Sequence, residues 1–279
     1  MQVDSIAEQL FFTTLRIDTL DAAGNAGSGT GFFFSQKRGD QNYPFIVTNK
    51  HVVQGMSAGR LTLLKRDGDK PLIGQGFSLD ISDWSIAWYG HPDPNVDIAV
   101  MPFAPLEAQI KDKAGVDVFY RVVSTDSIPS AEQAANLDAI EYVTFIGYPN
   151  GIWDSKNLLP VARRGATASP LQVDFENTPR FLIDASVFGG SSGSPVFIFN
   201  QGTFTDKAGG TVIGSRILFI GVVAAVFFRT QLNEIVAVPI PTLNQPMARQ
   251  QEMIDLGIVF KARTVVEAIE SFLSDKGIA

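Results

Sequence analysis

A histidine in Thr48-Asn49-Lys50-His51-Val52-Val53, an aspartate in Val96-Asp97-Ile98-Ala99-Val100 and the run Phe188-Gly189-Gly190-Ser191-Ser192-Gly193-Ser194-Pro195 follow one another along the chain. These residue types are what nucleophilic acyl transfer needs: a hydroxyl beside a base, the base beside an orienting carboxylate, and backbone N–H groups aimed at the developing oxyanion. A nucleophile in a tight glycine-rich turn lets its own N–H and that of the residue two earlier converge on one oxygen. That earlier residue is best a glycine, because bare backbone must approach the substrate. Ser194 fails this test, since Ser192 lies two before it. Ser192 passes with Gly190 and Ser191 passes with Gly189, so the residues alone leave two candidates.

The chain has a second histidine, His91, between turn formers in Gly90-His91-Pro92-Asp93-Pro94. That setting predicts an exposed loop overhanging the cleft. His51 instead follows Pro44-Phe45-Ile46-Val47-Thr48, a buried-strand pattern that would hold it rigidly. Asp97 is preferred to Asp93 for the same reason, because it opens the apolar run Ile98-Ala99-Val100-Met101 and would be shielded and aimed.

The segment from Ile183 to Pro195 resembles the nucleophile loop of trypsin-like (chymotrypsin-fold) serine peptidases, especially bacterial HtrA-like and glutamyl-endopeptidase-like members. In that pattern the serine is preceded by Gly-x and followed by Gly-[Gly/Ser]-Pro, which implies Ser192 as nucleophile and the N–H groups of Gly190 and Ser192 as oxyanion donors. The order His51, Asp97, Ser192 is also that of chymotrypsin, not of subtilisin or the α/β-hydrolases. Gly147-Tyr148-Pro149-Asn150-Gly151 is similar to the Gly-x-Pro-x-Gly turn of HtrA-like peptidases, and Gly29-Thr30-Gly31 to their early glycine-rich strand. The resemblance covers about residues 10 to 245. HtrA proteases append a PDZ domain, for which no space follows the second barrel, so a free-standing peptidase module is expected.

The elements that must position these residues read as short strands broken by Gly, Pro, Asn and Asp, an all-β pattern. Strands are expected over 15–20, 31–35, 45–48, 61–65, 85–89 and 98–102, then over 142–146, 159–166, 180–184, 195–199, 217–228 and 234–239. The family resemblance implies two six-stranded antiparallel barrels with a cleft between them. Residues 1–104 would form the first, carrying His51 and Asp97, and residues 139–245 the second, carrying Ser192, with a connector over 105–138 holding a short helix or two. The C-terminal segment, 246–279, predicts a helix over about 264–275. Its signals are a Thr264-x-x-Glu267 capping box, an apolar face of Val265, Val266, Ile269, Phe272 and Leu273, and a stop at Gly277. Its expected role is packing on a barrel, and the polar stretch 245–255 before it reads as a family-specific addition.

Alignment with the family implies a primary pocket framed by Ser186, Val187 and Phe188, by Ala224, Ala225 and Val226, and by the strand containing Ala237. None of these is charged, and Ser186 stands about where a preference for Arg or Lys would demand an aspartate. The expectation is a small or medium apolar side chain before the scissile bond. A glutamate preference would use a histidine or serine cluster, and neither histidine falls on the expected pocket strand. Ser191 replaces the aspartate that animal trypsins pair with a newly cut N-terminus, so any activation would run through loop ordering, oligomerisation or a protein partner. The resemblance thus implies a serine endopeptidase acting on protein or peptide substrates. The alternative is a latent or pseudoprotease peptide-binding module working within a protein complex, and an esterase using the same residues comes third.

Composition bounds the remaining classes. A net charge of −7 argues against a nucleic-acid partner. The basic doublets Lys37-Arg38, Lys65-Arg66 and Arg163-Arg164 read as solvated surface pairs. The longest apolar stretch, 217–228, is 12 residues, too short to span a bilayer as a helix. With two histidines and no cysteine a structural zinc site is not expected, and the mechanism that the resemblance implies needs no metal or cofactor. No basic and apolar leader opens the sequence, which together with the missing cysteines predicts a cytoplasmic protein unless a leader has been removed, and the family resemblance implies a bacterial one.

Overall fold

The computed structural model describes the backbone of residues 2–81, 83–234 and 247–278, and the side chains of all of these except 150 and 228–253. The fold is mostly β. Nine strands of the first half share one sheet: β1 (Thr14–Asp21), β2 (Ala26–Arg38), β3 (Gln41–Thr48), β4 (Met56–Asp67), β5 (Lys70–Ile81), β6 (Tyr89–Gly90), β7 (Ala99–Pro102), β8 (Val118–Phe119) and β9 (Val123–Ser124). The main path runs β5-β4-β1-β2-β3-β7-β6, with β8 attached to β4 and β9 to β2. In the second half come β10 (Tyr142–Gly147), β11 (Val161–Thr167), β12 (Arg180–Asp184), β13 (Pro195–Asn200), the small hairpin β14 (Thr203–Thr205) and β15 (Thr211–Ile213), then β16 (Arg216–Glu234) and β17 (Met247–Lys261). Six of these close into a barrel in the order β10-β11-β12-β17-β16-β13. The helices are α1 (Ile6–Leu10), α2 (Lys50–Val53), α3 (Trp84–Ala87), α4 (Ala104–Ala114), α5 (Ala131–Ala135) and α6 (Arg263–Asp275).

Strand periodicity explains how the halves join. Successive side chains of a strand point to opposite faces. In β2, Phe33 enters the core of the first sheet with Leu15, Ile17, Ile46 and Met101, while Phe32 and Phe34 turn the other way. Phe45, Val47, Ile98 and Val100 turn with them, onto Phe197, Phe219 and Phe260 from the outside of the closed barrel. Phe219 is the centre of this seam, with ring centroids 5.4, 5.9 and 5.8 Å from Phe32, Phe34 and Phe197. The barrel has its own interior, built around Val143, Phe145, Ile183, Val187, Val196 and Val259.

Several expectations are corrected. The first sheet has nine strands rather than six, partly because β5 was not anticipated; its Pro71, Gly74 and Gly76 disguise a strand, yet proline and glycine are tolerated at a sheet edge, where β5 lies. Residues 85–88 form no strand. Trp84 is buried against Gly59, donates from Nε1 to the Val53 carbonyl at 3.0 Å, and starts the one-turn α3; only Tyr89 and Gly90 pair with β7. The connector holds α4 and α5 as expected, but also β8 and β9, which return to the first sheet. Part of the polar stretch at 245–255 belongs to β17, paired along β16. The strand expected over 234–239 lies almost wholly outside the described residues, Glu234 being the end of β16.

Helix α6 lies where the apolar period placed it, and Gly277 stops it with φ of +66°. Val265, Ile269 and Leu273 are buried, and Phe272 packs edge-on against Phe45 at 5.6 Å, so a helix from the end of the chain seals the first sheet. The capping box is not formed. Thr264 donates back to the Lys261 carbonyl at 2.8 Å, and Glu267 turns to His91 and Arg263.

Candidate active site

His51 sits in the single turn of α2, which is pinned by the buried Val52 and Val53; a side chain at Gly29 would collide with Val52. Asp97 immediately precedes the buried Ile98 and strand β7, which pairs with β3. Its carboxylate therefore meets α2. Oδ1 accepts the His51 backbone N–H at 3.0 Å, and Oδ2 lies 2.5 Å from Nδ1. The fully buried Asn49 adds a bond from Nδ2 to the Asp97 carbonyl at 2.7 Å. A carboxylate on Nδ1 fixes the imidazole proton there and leaves Nε2 as an acceptor.

The serine turn comes from the loop between β12 and β13. Gly190 and Gly193 adopt φ of +80° and +88°, conformations that other residues rarely hold. A Cβ at Gly193 would stand 1.8 Å from the Thr30 carbonyl oxygen, so the position also lacks room. Burial separates the three serines. Ser191 and Ser194 are 1% and 0% exposed, whereas Ser192 is partly open. Among the described residues, the N–H groups of Gly190 and Ser192 donate to no protein acceptor. The Ser192 hydroxyl donates to the Ala224 carbonyl at 3.2 Å, and no hydrogen bond joins it to His51.

Thr30 of β2, noted in the sequence only through its flanking glycines, holds this turn from the other half of the molecule. Its N–H donates to the Ser192 carbonyl at 2.9 Å, and its Oγ1 donates to the Gly190 carbonyl at 2.9 Å. The same Oγ1 accepts the Tyr148 N–H at 3.1 Å, and the Thr30 carbonyl accepts from Thr48 Oγ1 at 2.7 Å. Gly147 is required beside it, because a Cβ there would fall 2.1 Å from Ser194 Oγ and 2.5 Å from Thr30 Oγ1. Thr48 lies three residues before His51, so a short run of bonded groups links the serine turn to the histidine.

His91 does not overhang the cleft. It is 8% exposed, with Nε2 at 3.3 Å from Glu267 of α6 and Nδ1 accepting the Asp93 N–H at 3.1 Å. The turn formers around it fold the loop back onto the helix instead of outward. Asp93 caps its own turn through Asn95.

Of the expected pocket residues, Val187 points into the barrel core, Ser186 and Phe188 are half-buried, Ala224 is buried, Val226 is half-buried and Ala225 is exposed. Ala237 lies outside the described residues. The arginine doublet is not a surface pair: Arg164 is exposed, but Arg163 turns inward over the Phe188 ring, its guanidinium carbon 4.7 Å from the centroid. Strand alternation made that inward turn legible once β11 was located. Among the described residues no group of three or more His, Asp or Glu is arranged to hold a metal ion, and no helix is long and apolar enough to cross a membrane.

A histidine–carboxylate pair on one sheet, a glycine-flanked serine turn on a closed antiparallel barrel and an aromatic seam between them define the chymotrypsin-fold serine peptidase class. The model of the trypsin-like peptidase domain matches residues 29–205, and the chain belongs to that family. Among solved structures, the HtrA-type protease AlgW with a tripeptide shares the fold at a TM-score of 0.50 and 16% identity. That match covers 96% of this chain and 62% of the other, so this chain spans under two thirds of its length. An inactivated protease paralogue of the scabies mite matches at a TM-score of 0.46 and 13% identity, over 95% and 97% of the two chains. Protease Anisep from Arthrobacter nicotinovorans matches at 0.42 and 14%, over 77% and 84%. No curated protein sequence matches the chain.

Proposed function

We propose that this chain is a serine endopeptidase in which Ser192 is the nucleophile, His51 the general base and Asp97 its orienting carboxylate. The observation that carries the reading is the doubly bonded His51–Asp97 pair set, through Thr48 and Thr30, beside a serine turn with two N–H groups that have no acceptor among the described residues. Ser192 Oγ would swing from the Ala224 carbonyl toward His51, lose its proton to Nε2 and attack the substrate carbonyl carbon. The resulting oxyanion would be held by the N–H groups of Gly190 and Ser192, each typically worth roughly 3 to 4 kcal/mol. Protonated His51 would then donate to the leaving amine, and a water activated by the same ring would release the acyl group from Ser192. The residue before the scissile bond would rest on Phe188 and Val226, apolar surfaces suited to the stem of a small or medium side chain.

The bond from Ser192 to Ala224 favours a second reading, a latent module whose hydroxyl is released toward His51 by a protein partner or a bound peptide. The test is cleavage of a mixed peptide library by the purified chain, followed by mass spectrometry, beside Ser192→Ala. Cleavage that disappears in the variant is expected. A folded chain that binds peptides but cuts none, with or without Ser192, would instead support the binding module.

A further inference from the structure

Arg163 lies on β11 opposite Phe145 of β10, a residue of the barrel interior, and is half-buried, so its side chain lies on the inward face of the strand. Its guanidinium carbon stands 4.7 Å from the Phe188 centroid and 5.8 Å from that of Phe145. Phe188 is tied to the serine turn, since its carbonyl accepts the Ser191 N–H at 3.0 Å. Arg163 makes no hydrogen bond and no ion pair among the described residues, and its Nη1 is buried without a partner.

Other arginines in comparable settings are neutralised. Arg216 stacks on Phe204 at 4.4 Å but also meets Glu141 at 2.5 Å, and Arg180, which has a buried unpartnered Nε, meets Glu176 at 2.5 Å. Burial depresses the pKa of Arg163, and the carboxylate of Asp255 opposes that depression without bonding to it. A guanidinium taken from water without a partner is costly, and a carboxylate arriving in its plane recovers that cost through charge-assisted bonds.

We propose that Arg163 makes the pocket beside Ser192 selective for substrates with a carboxylate on the residue before the scissile bond, glutamate above aspartate. The proposal rests on the endopeptidase reading and changes the expected apolar preference at one end only. Phe188 and Val226 take the methylenes, and the guanidinium takes the carboxylate. Glutamate has the longer reach of the two acids. The charge was invisible to the pocket expectation because Arg163 comes from β11, a strand outside the three segments then considered.

The experiment compares kcat/KM of the unmodified chain on fluorogenic peptides identical except for Glu, Gln, Asp or Leu before the cleaved bond. Glu over Gln by about tenfold or more is expected, the scale of one charge-assisted interaction. Arg163→Gln, with its folding checked by thermal melting, is expected to collapse the Glu/Gln ratio toward about one. Gln or Leu cleaved as well as Glu, or a Glu preference that survives Arg163→Gln, overturns the proposal while leaving the peptidase reading intact. If a fluorophosphonate fails to modify Ser192 and no peptide is cut, the peptidase reading falls and the proposal falls with it.

Discussion

The histidine side and the serine side of the site are built differently. His51 and Asp97 are fixed within one sheet, by the β3–β7 pairing, α2 and Asn49, and would keep their geometry wherever that sheet is folded. The serine turn is held from across the seam, where Thr30 bonds both the Gly190 and the Ser192 carbonyls and its own carbonyl fills the space a side chain at Gly193 would need. The His51–Asp97 pair is thus a property of one half, and the serine turn a property of both. Under the proposed mechanism, contacts that dock the halves, Phe219 above all, would act on catalysis through the turn.

Substitutions can break this asymmetry, and we take them from the largest expected effect to the smallest. Asp97→Asn removes the carboxylate that sets the His51 tautomer; a loss of roughly 10⁴ in kcat is expected with little change in melting temperature, because the defect is local to one half. Phe219→Ala empties the seam and should cost about 3 to 5 kcal/mol by denaturant titration. If docking shapes the turn, its peptide cleavage should fall further than the folded fraction does. Thr30→Val keeps the shape but leaves the Gly190 carbonyl and the Tyr148 N–H unpaired, a loss of about 1 to 3 kcal/mol. If that loss is felt in the transition state, kcat should drop about 5- to 150-fold with KM nearly constant, and Thr30→Ser should restore most of it. Equal impairment by the valine and serine variants would show that the hydroxyl does not position the turn.

The sequence displayed the local parts and concealed the long-range ones. Strands β10 and β12 and helix α6 were legible because apolar periodicity and terminal glycines are local signals, and the order of His51, Asp97 and Ser192 carried the family pattern. Strand β5 was hidden by Pro71 and Gly74, residues that a sheet edge accepts, and α3 by the burial of Trp84 against a distant glycine. Spacing set Ser194 aside and left Ser191 and Ser192, between which the family pattern chose; the burial of Ser191 beside a partly open Ser192 is information that spacing does not contain. His91 looked exposed because its turn formers say nothing of Glu267, 176 residues away. Thr30 meets the serine turn, and Arg163 meets Phe188, only through sheet pairing and barrel closure.

The central claim is that His51, Asp97 and Ser192 form one working site across the seam. The most direct measurement is exposure of the purified protein to a fluorophosphonate, with the adduct located by intact and peptide mass spectrometry beside Ser192→Ala and His51→Ala. The account expects a single adduct on Ser192 that is lost in the first variant and strongly slowed in the second. A folded protein that takes up no label, or labelling indifferent to His51, would contradict it.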